Sequence, residues 1–219
     1  MISESLLHFV EFELQIIALT IFAILYALKI VQLVKLPMPR EVAPASGNPA
    51  KGVAFSFSTL INPFSMDSTT KHLWRWMEFL IYHLGALSAI LATFTLPFAP
   101  KMMAYPVRIV FAIFIGLGAI VGISKIIRRL ANPHLRYVSV PDDYFSLIAV
   151  EIYFIAAAGC LVYFTDGWRF VFFLITALFL VYVPFSKISH YVFWFFARIY
   201  LGIRFGRRGI LPKKRLQHG

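Results

Sequence analysis

Four ionisable side chains lie where apolar stretches leave little water to hold them. Glu78, His83 and Glu151 fall within such stretches, and His190 falls near the end of one. Titratable groups inside a membrane span are costly, so each is a functional candidate by default. A lone histidine in a helix is most often hydrogen-bonded packing. Two at similar depth on different helices are harder to dismiss, because two neutral imidazoles suit the two axial positions of a haem iron. His83 lies seven residues past Trp76, about 10 Å along a helix. His190 lies 22 residues past Trp168, about 33 Å along a helix. Small residues beside them, Gly85, Ala86 and Ser88 after His83 and Ser186 and Ser189 before His190, would leave room for a macrocycle. His72 shares a helix face with His83, but it stands among Lys71, Trp74 and Arg75, which is interface chemistry. His8, His134 and His218 fall in no span, so the ligands suffice for one bis-histidine site.

The elements that must carry these residues are membrane helices. Of 219 residues, 60% are hydrophobic and 14% charged, against about a quarter charged in a soluble domain. There are 23 Phe and 1 Cys. One cysteine excludes an internal disulfide, and it excludes a thiolate-held zinc or iron–sulfur cluster built from this chain alone. Glu4, Glu11 and Glu13 precede the first basic residue, Lys29. That charge pattern is wrong for a cleaved signal peptide, so the first apolar run is read as a retained helix.

A span needs about 20 mostly apolar residues. Five stretches qualify: about 12–34, 77–97, 107–123, 144–164, and one from 168 to 184 whose helix continues to about 200. Pro184 would kink or weaken that last helix. The fold class expected is all-α, an integral membrane bundle of five transmembrane helices. Direction follows from lysine and arginine. Eighteen of the 21 basic residues fall in the connection from Lys29 to Arg75, the connection from Lys125 to Arg136, and the tail from Lys187. Lys101, Arg108 and Arg169 are alone on the other side. The N-terminus is therefore expected outside and the C-terminus in the cytoplasm, with His83 and His190 both toward the inner side. The net charge of +11 then reflects topology and anionic lipid headgroups, and nucleic acid is not expected as a partner.

The expected organisation is an acidic N-terminus and first helix (1–34), a Pro/Ser/Gly-rich cytoplasmic connection (35–71), a four-helix haem-binding core (72–200) and a basic tail (201–219). Within the connection, "VAFSFSTLINPFS" could lie in the interface as a short amphipathic element. Asp142 or Asp143 suits the N-terminus of the fourth span. Gly116, Gly118 and Gly122 would permit close helix packing. Glu78 either exchanges a proton with a quinone or pairs with Arg75 or Lys71. Glu151 either bonds a neighbouring helix or lines a proton path. Arg108 reads as a headgroup anchor. Arg128 and Arg129 could neutralise haem propionates, although as positive-inside residues they need no such role. No paired broken helices or repeated halves suggest a transporter or channel component.

Three stretches, "IYHLGALSAILATF", "RRLANPHLRYVSVPDDYFSL" and "PFSKISHYVF", make the chain resemble the gamma subunit of respiratory nitrate reductase. It is similar too to the cytochrome b subunits of Dsr-type sulfite-reduction and heterodisulfide-reductase-type membrane complexes. The resemblance runs from about Leu73 to the tail, and the last stretch, with its PFS-basic-x-x-His pattern, is the most specific. It implies that His83 and His190 are the axial ligands of one haem b nearer the cytoplasmic face. Two-haem relatives carry a further histidine on each of the same two spans. Those positions here are Thr93 and Phe172, which implies that the outer haem is missing. By the same resemblance, the chain passes electrons between menaquinone or ubiquinone and an iron–sulfur subunit on the cytoplasmic side. It would do so within a hetero-oligomeric complex of the prokaryotic cytoplasmic membrane. It would be an electron-transfer subunit of a quinone-linked oxidoreductase rather than a complete enzyme. The competing expectation is a haem-free membrane anchor that docks a redox complex.

Overall fold

A computed structural model of the chain describes residues 2–37, 42–62, 64 and 70–212. Arg40, Lys213, Lys214, Arg215 and His218 lie outside the described residues. Among the described residues the protein is all helix, with no strand. The helices are α1 (Glu4–Glu11), α2 (Glu13–Lys35), α3 (Pro49–Ile61), α4 (Leu73–Phe98), α5 (Tyr105–Ala131), α6 (Pro133–Tyr137), α7 (Pro141–Tyr163), α8 (Asp166–Tyr182) and α9 (His190–Arg207). Five segments are long and apolar enough to cross a membrane: Glu4–Lys35, Leu73–Phe98, Tyr105–Ala131, Pro141–Tyr163 and Asp166–Phe185. Large apolar side chains stay on the outside. Ile120 is 65% exposed and Ile155 57%, whereas Phe154 and Phe172 are at 0%. A surface of that kind fits lipid and not water.

The chain divides into two compact units, Met1–Lys29 with Met77–Ile188, and Ile30–Trp76 with Ser189–Gly219. In the first unit, α7 is the central helix. It buries Val150, Tyr153, Phe154, Ala156, Ala157, Cys160 and Leu161. Small residues set the spacing of the neighbours. A Cβ on Gly85 of α4 would lie 2.9 Å from the Phe114 carbonyl of α5, and one on Gly118 would lie 3.0 Å from the Phe154 ring. Gly118 and Gly122 are thus packing glycines, as the sequence suggests. Gly116 faces open space and is not. Between α7 and α8 the chain reverses at Phe164, whose φ of 50° is left-handed. Thr165 then caps α8 by accepting the Trp168 N–H at 3.4 Å. The first span, Glu4–Lys35, is fixed to α8 by Gln15 of α2, whose amide donates to the Val10 carbonyl at 2.9 Å and to the Phe173 carbonyl at 2.7 Å.

The last expected helix, from 168 to about 200, is interrupted. α8 ends at Tyr182, and 3₁₀ turns at Val183–Phe185 and Lys187–Ser189 follow before α9 begins. Pro184 has no N–H to continue the ladder. Ser186 closes the turn, donating to the Val183 carbonyl at 2.9 Å and accepting the Ile188 N–H at 3.1 Å. Lys29 donates to the Pro184 carbonyl.

In the second unit, α3 packs on α9. Asn48 caps α3 by accepting the Lys51 N–H at 3.2 Å, and Pro49 fills its first turn. Gly202 and Gly206, four apart on α9, present bare backbone to α3. A Cβ on Gly206 would lie 2.7 Å from the Asn48 carbonyl and 2.9 Å from the Gly52 Cα. This is small-xxx-small packing, in which missing side chains let helix backbones touch. Arg198 adds bonds to the Ser56 carbonyl at 3.0 Å and the Thr59 hydroxyl at 3.2 Å. Residues 53–61 of the apolar half of the 35–71 connection are therefore helical, and that helix begins earlier, at Pro49, than its apolar residues indicate.

Candidate functional site

His83 sits on the exposed side of α4, away from the buried row Glu78, Gly85, Ser88, Ala89, Ala92, Thr93 and Leu96. Its Nδ1 lies 2.7 Å from the Phe79 carbonyl one turn earlier. A carbonyl only accepts, so Nδ1 is the donor, and in the neutral imidazole the lone pair is then on Nε2. Histidines that bind metal commonly hold this tautomer through such a bond. The Phe79 ring stands 4.1 Å from the imidazole. His190 is the first residue of α9 and is also exposed. His83 belongs to the first unit and His190 to the second. His72 precedes α4, where its carbonyl accepts the Arg75 N–H at 2.9 Å. Its neighbourhood is that of a helix start.

The small residues beside the histidines have local duties. Gly85 is filled by the approach of α5, and Ser186 shapes the turn after α8. The two arginines considered for propionates are engaged with acids of this chain. Arg128 donates to Glu78 at 2.8 Å. Arg129 donates to the Ser139 hydroxyl at 2.7 Å and stands 3.4 Å from Asp143. Glu78 is thus tied to α5, an arrangement that needs both helices in place and could not be read from i−3 spacing. Judged against haem b, the imidazole of His83 fits an iron ligand. Arg128 and Arg129 would have to share their charge with Glu78 and Asp143 to meet propionates.

Asp143 continues the network at this end of the unit. It accepts the Val140 N–H at 2.9 Å and binds Lys187 Nζ at 2.8 Å. Asp142 accepts the Lys187 N–H at 3.1 Å and the Tyr182 hydroxyl at 3.0 Å. The N-cap position itself is Val140, with both aspartates in the first turn. Asp143 therefore caps by reaching back, and Asp142 serves the turn after α8. The stretches "VPDDYFSL" and "PFSKI" meet here.

Mid-bundle, Thr93 donates to the Ala89 carbonyl at 3.1 Å and lies 2.9 Å from the Tyr153 hydroxyl. The Tyr153 ring stacks with Phe172 at 5.8 Å and with Phe179 at 5.0 Å. Thr93 and Phe172 therefore meet through one residue that sequence reasoning missed, an aromatic among many in an apolar span. Closer to the Asp143 end, Glu151 of α7 is 6% exposed, and among the described residues neither carboxyl oxygen has a hydrogen-bond partner. It lies against Gly122 and Tyr82, and Lys125 Nζ stands 3.7 Å over the Tyr82 ring. At the far end, Arg169 joins Glu11 at 2.7 Å and Asp166 at 3.3 Å. Arg108 stands 4.0 Å over the Phe164 ring. Arg108 is thus packed on an aromatic of this chain. No protein-family model, curated protein or solved structure matches the chain.

Proposed function

We propose that the chain is a membrane cytochrome b subunit, with His83 and His190 as axial ligands of one haem b. It exchanges electrons with menaquinone or ubiquinone on one side and with an iron–sulfur subunit on the other. The observation that carries the reading is His83: an imidazole on an apolar helix, held by the Phe79 carbonyl in the tautomer that presents Nε2 as a ligand. The sequence pattern around His190 supplies the second ligand. Bound haem would supply a one-electron carrier that no side chain here provides. The protein would orient the imidazole, keep the iron in an apolar setting and position the quinone. The Thr93–Tyr153–Phe172 layer supports a single haem, since side chains fill the place where the resemblance implies the outer one is lost. In this reading the N-terminus is outside and the basic C-terminus in the cytoplasm of a prokaryote, facing the iron–sulfur partner.

Two observations favour the haem-free anchor. Gly85 is consumed by helix packing, and Arg128 and Arg129 already face carboxylates. A pyridine haemochrome assay on the purified membrane complex separates the two. The expected result is one haem b per chain, lost in His83→Ala and in His190→Ala and retained in His72→Ala. Haem that survives both of the first two substitutions removes the assignment. No haem in the native complex turns the reading to the anchor.

A further inference from the structure

Glu151 has no duty in the reading above. It stands ten residues into α7, about 15 Å from that helix's start, so it is far from either end of the span. Both carboxyl oxygens are buried without a hydrogen-bond partner among the described residues. A carboxylate in that setting would carry the full cost of desolvation, whereas the neutral acid would not. The site is also shaped for it. A Cβ on Gly122 would collide with the Glu151 carboxyl and come within 2.9 Å of the Tyr82 ring. The absence of a side chain at residue 122 is what admits the acid between α4, α5 and α7.

From this point polar groups descend to one end of the bundle. Lys125 stands over the Tyr82 ring at 3.7 Å and is within electrostatic reach of both Glu151 and Glu78. It lies six residues from the end of α5, about 9 Å. Glu78 and Arg128 follow at 2.8 Å, three residues from that end. The titratable groups of α8 are engaged elsewhere: Tyr182 with Asp142, and Arg169 with Glu11 and Asp166. Lone carboxylates do not supply the six or more oxygens that a calcium ion takes. A proton is the ligand that one partnerless carboxyl can bind.

We propose that Glu151 is a proton-exchange site in the middle of the bundle, walled by the Tyr82 ring with Lys125 above it, open to the end that carries Glu78 and Arg128. At rest Glu151 is the neutral acid. On release its O–H bond breaks, both electrons of that bond stay on the oxygen, and the proton passes to water at the Glu78 end. The Lys125 ammonium then balances the carboxylate. Nothing is oxidised or reduced, and the site does not require haem.

Hydrophobic carbodiimide reacts with protonated carboxyls, so labelling of the full chain in lipid vesicles, followed by peptide mass mapping, tests the proposal. An ordinary glutamate is protonated about one part in five hundred at pH 7, so Glu151 should label on the order of a hundredfold faster. Glu78, paired with Arg128, should not label on that timescale. Raising the pH should slow the reaction at Glu151. Gly122→Ala should cut labelling severalfold by filling the carboxyl's place. Should that variant fail to fold, the infrared C=O band of a dry protonated carboxyl, lost in the near-isosteric Glu151→Gln, gives the same information. Labelling of Glu151 no faster than Glu78, or no such band, overturns the proposal. Labelling in a chain that never holds haem defeats only the cytochrome reading. Haem without labelling defeats only this one.

Discussion

Removing Arg128 takes from the buried Glu78 the cation that reaches it from α5 at 2.8 Å. Its side chain is 10% exposed against 32% for Arg128. Weakening the pairing of a buried charge is expensive, but the exposure of the arginine discounts the loss, so Arg128→Ala should cost about 1–3 kcal/mol in detergent unfolding. Tyr153 offers a sharper test. Thr93→Val strands the Tyr153 hydroxyl and should cost about 1–3 kcal/mol, whereas Thr93→Val with Tyr153→Phe removes both partners and should recover most of it. A double-mutant cycle in thermal unfolding measures this coupling. Phe172→Ala empties a fully buried site and should cost about 3–5 kcal/mol. At this scale the sequence exposed its unusual residues, because a charge in an apolar run stands out. It hid their partners, because Glu78 and Arg128 are fifty residues apart and only the folded helices join them.

At the scale of elements, the spans were legible because lipid imposes length and composition together. The α3 helix was legible only in part. Its first residues read as linker, yet Asn48 followed by Pro49 is a helix-start signature. Gly202 and Gly206 were equally visible at four-residue spacing but lie in an aromatic and basic stretch rather than an apolar one. Gly202→Leu should force α3 and α9 apart at a cost of about 1–3 kcal/mol. Hydrogen exchange of the 49–61 amides should rise while the amides of α7 keep their protection. The break before α9 depends on the aspartates of α7. Asp142→Ala should speed exchange at the Lys187 N–H, which Asp142 accepts at 3.1 Å, and leave α8 unchanged.

For the whole molecule, the distribution of Lys and Arg fixes an expected direction that labelling can check. In a Cys160→Ala background, a cysteine placed at Ile2 should react with impermeant maleimide from outside intact cells, and one at Ile210 only after permeabilisation. The reverse pattern would invert the bundle and put the Asp143 end outside. The fastening of the first span to α8 also bears on how the chain is made. Gln15 and Phe173 are 158 residues apart, as are Glu11 and Arg169. At about 5–20 residues per second, the ribosome needs roughly 10–30 s to supply the second member of each pair. Throughout that interval the newborn first span holds the Glu11 carboxylate without its arginine and the Gln15 amide with only its Val10 bond. Its stay in the insertion machinery, or beside a helper protein, should therefore be long, and Glu11→Leu with Gln15→Leu should shorten it.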